Sequence, residues 1–518
     1  MRAERLFRAL GLVDAALVEE ALAVRRQDWK RWAALAACLA LVMGLGFGWL
    51  ASGGFRGYGG MAPGADTGSS GGVMDGDAGI PDGGEDGVAF LSYAGPVLPL
   101  DTLENPAELT AERTVTWDFA PGAYPDGERR QWGAEVTDAS ILHNGTEEDI
   151  TVTALYPFAG SFAELVLPAV TVNGEAVEPA LCAGPYAGGF QSAAGPEGAD
   201  TLNLAGLSSW REYRALLESG AYREQALGDD PALDSPVTVY EFSDFEAPHE
   251  EYQAATQAVS FPIDSERTTV FTYGFNGCEW DGGFRRYSYF VPDGMRRETE
   301  RKLLVVWGED IGEYTLQGYQ DGGCDRGEEI DGVSCSVTRR ETTLDAVLDL
   351  ACRDFVERYG EGWVSEEGPV TFAMHRGAAA ELLAQYGPLS DAPMDRYADG
   401  RLDDLIQETL HQERVLYLRF PVTVPAGGSA EVTCAFWKAP SYDFGGSGSG
   451  NEGLQGYDLV TKLGSSLAFT RQSATLMNLE NVEIAGQNFG FEPDSGVTSV
   501  ELDLEQEHYY LEIRPIEE

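Results

Sequence analysis

Cysteines are the side chains of this chain best suited to covalent chemistry, and their surroundings divide them into two groups. Cys278 in FNGCEWDGG, Cys324 in DGGCDRG and the nearby Cys335 lie in polar sequence. Cys352 and Cys434 each belong to a periodic pattern of apolar residues and are predicted to be small core residues. In an oxidising compartment we predict a disulfide among the first group, with a pairing that the sequence alone does not choose.

Acidic residues around the DGGCDRG loop could bind a hard cation. Calcium takes carboxylate and carbonyl oxygens as ligands, and this loop carries several carboxylates at short spacing. The candidate ligands are Asp321, Asp325, Glu328 and Asp331. Their spacing does not fit an EF-hand loop, so the alternative is a solvated acidic loop without a metal.

Motifs for catalysis or cofactor binding are missing from the sequence. Zinc sites with CxxC, HxxxH or HExxH spacing are absent, and no GxSxG elbow or GxGxxG loop follows a predicted strand. The histidines are scattered and are each predicted to be surface or loop residues: His143, His249, His375, His411 and His508. We therefore expect no enzymatic activity and no cofactor. A catalytic site assembled only in the tertiary structure would not be visible in the sequence.

An apolar run near the N-terminus predicts where the protein resides. Residues 32–51 hold no charged side chain and, as a helix, would span about 30 Å of hydrocarbon. Trp32 and Trp49 lie near its two ends, and Gly44 and Gly48 form a GxxxG pattern that permits close helix contact. We predict one transmembrane helix that anchors the protein in the lipid bilayer.

Charge on the two sides of this run predicts the topology. Residues 1–31 carry 7 basic and 5 acidic side chains, and several of the bases adjoin the run, so the N-terminus is predicted to be cytoplasmic. Of the 35 basic and 85 acidic residues in the whole chain, 28 and 80 remain after residue 51. That acidity excludes a nucleic-acid-binding role and predicts that the bulk of the chain is an extracellular domain.

Three other interpretations of the apolar run stay open. Ala51-Ser52-Gly53 would suit signal-peptide cleavage, although the run and the segment before it are long for a signal peptide. Cys38 lies in a sequence like a lipidation box, but it opens the apolar run instead of closing it. A buried core helix is disfavoured because such a helix normally carries a polar stripe.

The rest of the chain is predicted to be mainly β with a helical insertion. Residues 52–88 contain 14 glycines and form a flexible linker. Val115, Trp117 and Phe119 alternate with polar residues, which indicates a strand with one buried face, and Asn173-Gly174 indicates a tight hairpin. Short strands joined by turns predict an antiparallel, β-sandwich-like ectodomain.

These patterns divide the chain into predicted segments. They are a cytoplasmic helical segment (1–31), the transmembrane helix (32–51), the linker (52–88), a β-sandwich-like domain (89–205), a helix plus β-rich region (206–341), the helical insertion (342–413) and a C-terminal β-rich region (414–518). Strands are predicted at 132–142, 150–156, 237–242, 268–275, 284–291, 302–307, 415–424, 430–437 and 508–513, and helices at 209–219, 342–359, 376–386 and 401–413.

The N-terminal region resembles the anchor segment of single-pass bacterial membrane proteins. The likeness rests on LFRALGLVDAALVEEA, the basic residues after it, and RWAALAACLALVMGLG. Some proteins with such segments look like anti-sigma-factor or sensor-type proteins, which implies a cytoplasmic partner for residues 1–31. The His/Cys zinc motif of the zinc-binding anti-sigma class is missing here. VTALYPFAG, GYDLVTKLGSSLAFT and QNFGF are similar to uncharacterised bacterial surface proteins and imply no catalytic residues.

Together these features predict a membrane-anchored extracellular protein that binds or senses a protein or glycan. One alternative is a transmembrane regulator that holds a cytoplasmic transcription factor through residues 1–31. Another is a surface hydrolase acting on cell-wall glycan, which would need two carboxylates converging in a cleft.

Overall fold

The chain is mainly β, as predicted. The computed structural model describes residues 95–120, 122–123, 129–130, 133–186, 189–190, 202–203, 210–248, 255–292, 301–360, 362–391, 397, 399–443 and 453–516. Strands make up 47% of these residues and helices 17%. Residues 1–31, the apolar run and the linker lie outside the described ranges. Within those ranges no helix is both long enough and apolar enough to cross a bilayer.

The strands are β1 (Asp101–Thr102), β2 (Leu109–Asp118), β3 (Gly122–Ala123), β4 (Arg129–Arg130), β5 (Ala134–Asn144), β6 (Ile150–Gly160), β7 (Ala169–Val172), β8 (Glu175–Val177), β9 (Ala180–Tyr186), β10 (Gly189–Phe190), β11 (Leu202–Asn203), β12 (Pro236–Glu246), β13 (Thr256–Pro262), β14 (Thr268–Tyr273), β15 (Gly277–Asp281), β16 (Phe284–Phe290), β17 (Lys302–Gly308), β18 (Thr315–Tyr319), β19 (Glu329–Ile330), β20 (Ser334–Thr343), β21 (Arg414–Val424), β22 (Ser429–Lys438), β23 (Tyr442–Asp443), β24 (Gln455–Val460), β25 (Ala468–Met477), β26 (Val482–Gln487), β27 (Ser499–Glu501) and β28 (His508–Pro515). The helices are α1 (Trp210–Ser219), α2 (Ala221–Leu227), α3 (Leu344–Tyr359), α4 (Phe372–Gln385) and α5 (Leu402–His411).

The chain folds into two compact units. Pro236–Thr342 forms the first unit, and the described residues before and after it form the second. At the junction, the backbone N–H of Leu344 donates to the carbonyl oxygen of Ser235 at 3.0 Å. The chain therefore leaves the second unit and returns to it at neighbouring positions, so the first unit is an insertion within the second.

The first unit consists of two sheets that share an aromatic core. Its four-stranded sheet has the order β14-β17-β12-β20, and its five-stranded sheet has the order β15-β16-β13-β18-β19. Phe242 of β12 and Tyr289 of β16 belong to one core cluster, with ring centroids 5.8 Å apart. Such ring pairs contribute about 0.5–1.5 kcal/mol beyond the burial of their area, so the cluster joins the two sheets.

The second unit is organised around a seven-stranded sheet, in the order β27-β25-β2-β5-β22-β7-β8. Trp117 of β2 and Tyr457 of β24 are both fully buried in one core cluster. That cluster therefore lies between this sheet and a four-stranded sheet of order β23-β24-β28-β26. Odd-numbered residues of β2 are buried and even-numbered ones are more exposed, so the other face of the seven-stranded sheet is open to solvent.

The second unit also contains a third large sheet, two two-stranded sheets (β3-β4 and β10-β11) and the helices. The third large sheet has the order β1-β6-β21-β9, with α2 packed on β9. Helices α3, α4 and α5 pack on one another, in the region where the sequence predicts helices. Thr343 and Thr371 cap α3 and α4 by accepting backbone hydrogen bonds through their hydroxyls, each worth about 1 kcal/mol.

Most strand pairs are antiparallel, but one central pair is not. β2 and β25 run parallel, with Thr114 opposite Ser473. The sequence predicted antiparallel sheets, and this parallel pair is an exception that the sequence analysis did not foresee. Parallel neighbours cannot be joined by a short turn, and the two strands are far apart along the chain. No local signal therefore marks them as partners.

The predicted hairpin at Asn173-Gly174 is confirmed. β7 and β8 pair with Val172 opposite Glu175, and the two turn residues have φ values of 51° and 81°. Asparagine and glycine tolerate this left-handed backbone better than other residues. The turn chemistry therefore predicted this local structure, and two hydrogen bonds between Asn173 and the backbone of Glu431 on β22 hold the turn against the sheet.

Candidate ligand-binding site

The open face of the seven-stranded sheet carries a concavity of about 410 Å³. Its walls come from the neighbouring strands β25, β2, β5 and β22. The residues that line it are Glu112, Arg113, Thr114, Ala139, Ile141, Glu431, Arg471 and Ser473. The volume falls within the range of about 300–1,000 Å³ that is typical of small-molecule sites.

Strand register places two carboxylates on opposite sides of an apolar residue. Glu112 of β2 lies opposite Ile141 of β5, which in turn lies opposite Glu431 of β22. Paired residues of neighbouring strands project from the same face. Because adjacent strands are about 4.8 Å apart, the backbones of the two glutamates are about 10 Å apart. The concavity is therefore flanked by acceptors on both sides.

The charged residues of the concavity differ in how they are paired. Glu112 Oε1 lies 3.5 Å from His143 Nε2, and Arg471 Nε lies 3.3 Å from Glu501 Oε2. The carboxylate of Glu431 has neither a hydrogen bond nor an ion pair to any residue that the structure describes. It is thus an available acceptor that faces the concavity.

The concavity combines apolar surface with hydrogen-bonding groups. Ala139 and Ile141 lie between the polar side chains, and the hydroxyls of Thr114 and Ser473 are 2.9 Å apart at one side. The carboxylates accept hydrogen bonds, the guanidinium donates, and the hydroxyls do both. A glycosidase acid needs a carboxyl group in apolar surroundings, whereas the Glu112 side chain is 42% exposed. Glu112 therefore lacks the apolar surroundings that such an acid needs.

The predicted calcium ligands lie on the loop around β19. Asp321 Oδ1 accepts a hydrogen bond from the Gly323 N–H at 2.8 Å, and the Asp325 carboxylate also lies close to this glycine. Glu328 directly precedes β19 and Asp331 directly follows it. In the described parts of the chain, no three Asp, Glu, His or Cys side chains converge as metal ligands. Calcium binding stays a prediction that titration with Ca²⁺ can test.

None of the six cysteines in the described ranges forms a disulfide. Cys278 is exposed on the edge strand β15, Cys324 is buried and Cys335 is half-buried. A disulfide among these three is not formed in this structure, and it stays a prediction for non-reducing peptide mapping. Cys352 and Cys434 are buried among apolar residues, as their sequence neighbours indicated.

His375 is not a surface residue, and the prediction for it was wrong. On α4 its side chain is fully buried, its ring stacks 6.0 Å from that of Phe355, and its Nε2 lies 3.2 Å from the Ile406 carbonyl oxygen. Burial lowers the pKa of His375 to about 4, so the ring is a neutral core group at pH 7. The histidines were predicted to be surface or loop residues from their spacing alone. The burial of His375 instead depends on how α3, α4 and α5 pack on one another.

Acid is therefore expected to weaken the fold through His375. Its pKa is about 4 in the folded protein against an ordinary value of 6.5, so the unfolded chain binds the proton first. Stability should fall as pH drops from about 6.5 to 4, by on the order of 3 kcal/mol in full. Urea denaturation across this interval should show a shallower decline for His375→Gln than for the wild type. Parallel declines would contradict the assignment.

No known protein family matches the chain, and no curated protein is significantly similar to it.

The sequence patterns did not predict the concavity. Alternation in LTAERTVTWD places Glu112 and Thr114 on one face of β2, which was the available signal. Arg471 lies on β25, which pairs with β2, and Glu431 lies on β22, which pairs with β5; both pairings join distant parts of the chain, and no local pattern shows them.

Proposed function

We propose that this protein is a membrane-anchored extracellular binding protein without catalytic activity, and that its ligand is a glycan. The observation that carries this proposal is the concavity with Glu112 and Glu431 on either side of Ile141. The apolar run at 32–51 and the glycine-rich linker at 52–88 support a tethered location outside the membrane.

The chemistry of the concavity favours a saccharide. Sugars present many hydroxyl donors together with C–H surfaces, which match exposed carboxylate acceptors around Ile141 and Ala139. Arg471 offsets part of the negative charge, which favours a neutral ligand over a basic peptide. The strong acidity of the chain acts against nucleic acids and other polyanions. A neutral or weakly charged glycan is therefore the best match.

Glu431→Gln is expected to weaken glycan binding by about tenfold or more, because a hydrogen bond to a charged acceptor contributes about 1.5–3 kcal/mol. Affinity electrophoresis of the protein through gels containing soluble cell-wall glycan would measure the change. Glu175→Gln, which alters an exposed glutamate on β8, is the matched control and should migrate as the wild type does. Equal retention of all three proteins, or no retention of any, would refute the proposed site.

The proposed membrane topology, with the bulk of the chain outside the cell, can be tested separately. Protease treatment of intact cells should remove the region after residue 52 and leave a short membrane-protected fragment. Full protection of the chain would refute the extracellular location while leaving the glycan-binding experiment unaffected.

A surface hydrolase is the second candidate, because Glu112 and Glu431 face one concavity. Inverting glycosidases hold their two carboxyl groups about 6.5–9.5 Å apart, a separation that side chains on strands about 10 Å apart can reach. Release of reducing ends from cell-wall glycan by the wild type, and its loss in Glu112→Gln, would replace the binding proposal with this one.

A further inference from the structure

Two adjacent rows of short, uncharged side chains cross the open face of the seven-stranded sheet beside the concavity. Strand register aligns six residues in each row. The first row is Ser473, Thr114, Ala139, Thr433, Thr171 and Ala176, and the second row is Ser499, Thr475, Thr116, Thr137, Ala435 and Ala169. None of these twelve residues is buried. They form a continuous uncharged surface on a chain whose net charge is −50.

Longer side chains flank these two rows on both sides. Glu112, Ile141 and Glu431 lie along the side of the concavity, and Asp118 lies opposite Glu135 along the other side. Glu112 and Asp118 are six residues apart on β2, so the backbones of the flanking rows are about 20 Å apart. The two rows are therefore the floor of a trough that runs across the strands. Three residues of its first row also line the concavity, so the trough and the concavity are continuous.

The floor of the trough offers hydroxyl groups that are available to a ligand. Four of its threonine side chains have no hydrogen-bond partner among the described residues, namely those of Thr116, Thr137, Thr171 and Thr433. The hydroxyls of Thr475 and Ser499, by contrast, lie 3.0 Å apart and pair with each other. A hydroxyl both donates and accepts hydrogen bonds. A ligand rich in hydroxyls can therefore bind to the floor without breaking hydrogen bonds within the protein.

The area, charge and shape of the trough indicate which class of ligand fits it. Strand spacing and rise give each side chain about 30 Å² of the face, so the twelve residues cover about 400 Å². A stable protein interface needs about 800 Å² on each partner, so a second copy of the chain or another protein would be poorly held. The uncharged floor between carboxylates favours a neutral ligand over a polyanion. From β25 to β8 the trough is about 24 Å long, and the sheet twists by about 20–25° per strand, which suits one flexible chain better than a flat crystalline surface.

We propose that the trough and the concavity together bind a linear, neutral polysaccharide that lies across the strands. One end of the bound segment occupies the concavity beside Glu431, and the following sugar units lie on the floor and form hydrogen bonds with Thr116 and Thr137. This assignment rests on the proposed function, in which the ligand is a glycan. It adds that the ligand is a chain of several sugar units instead of a mono- or disaccharide.

A ligand-length series on the wild type tests the trough without any variant. Isothermal titration calorimetry of the full-length protein would use β-1,4-linked oligomers of glucose, mannose and N-acetylglucosamine, each as disaccharide and hexasaccharide. The hexasaccharide of the recognised sugar should bind about tenfold or more tightly than its disaccharide, because two or more added hydrogen bonds supply at least this difference. Equal affinity of the two lengths would overturn the trough and leave the glycan-binding function standing. Binding of none of the oligomers would overturn both.

A double variant then locates the added contacts. Thr116→Val with Thr137→Val removes two hydroxyls that do not line the concavity, while valine keeps the side-chain shape and the preference for a strand. The hexasaccharide should bind several-fold more weakly, and the disaccharide should bind as it does to the wild type, which also shows that the variant folds. Thr151→Val with Thr423→Val is the matched control, because it alters an exposed hydroxyl pair, 2.9 Å apart, on the third large sheet; it should leave both affinities unchanged. Unchanged hexasaccharide affinity in Thr116→Val with Thr137→Val would overturn the trough.

Discussion

Replacing Arg113 with methionine is expected to lower the free energy of unfolding by about 3–5 kcal/mol. Arg113 Nε and Nη2 donate to the two carboxylate oxygens of Asp138 at 2.9 and 2.7 Å, and the two side chains are 0% and 1% exposed. The same guanidinium donates to the carbonyl oxygens of Leu98 at 3.0 Å and Val460 at 2.8 Å. Methionine would leave a buried carboxylate without its cation and would detach β2 from two distant segments of the chain.

A double variant separates the charge from the packing. Arg113→Met with Asp138→Leu should cost less than Arg113→Met alone, because no buried charge is left unpaired. Arg471→Met is the matched control: it removes an exposed arginine paired with Glu501 on the open face of the same sheet, and it should cost at most about 1 kcal/mol. Urea denaturation measures all three variants, and similar losses for Arg113 and Arg471 would contradict the assignment.

Gly308→Ala is expected to destabilise the unit Pro236–Thr342 by about 2–5 kcal/mol, from about 1–2 for the left-handed backbone and about 1–3 for steric overlap. Gly308 ends β17 with a φ of 99°, and a Cβ atom there would overlap the carbonyl oxygen of Arg267. It also lies opposite Thr268 of β14. The overlap can be relieved only by separating these paired strands.

Gly312→Ala is the matched control in the same unit. Its φ is 68°, but no atom lies within 4 Å of the position its Cβ would take, so only the backbone penalty of about 1–2 kcal/mol applies. Limited proteolysis with fragment mapping, together with urea denaturation, would follow the unfolding of this unit. Equal destabilisation by the two substitutions would show that the overlap at Gly308 is relieved without cost.

Strands and helices could be predicted where a pattern within a few neighbouring residues specifies them. β2 follows from alternation in LTAERTVTWD, and α3 from the apolar periodicity that begins after Thr343. The boundaries shifted by a few residues, as for α4, which begins at Phe372 and was predicted from 376. Side-chain period and turn chemistry act over a few residues, so they can be recognised without knowledge of the partners.

The candidate site was predictable only in part. Alternation shows that Glu112 faces away from Trp117, and therefore away from the core. It does not show that Glu431 and Arg471 lie beside it, because β22 and β25 are recruited from the far end of the chain. The burial of His375 and Arg414 was equally invisible, since a polar residue in a helix or at the start of a strand is usually exposed.

The sequence by itself determined the composition, the strong negative charge, the apolar run and the periods that make the chain mainly β, because each is a property of single residues or short windows. Only the tertiary structure decided the parallel pairing of β2 with β25, the placement of Glu112 and Glu431 on one face of the sheet, and the burial of His375. Strand order and register are selected by the packing of the whole core. Groups distant in sequence therefore acquire their neighbours, and their chemistry, only when the core forms.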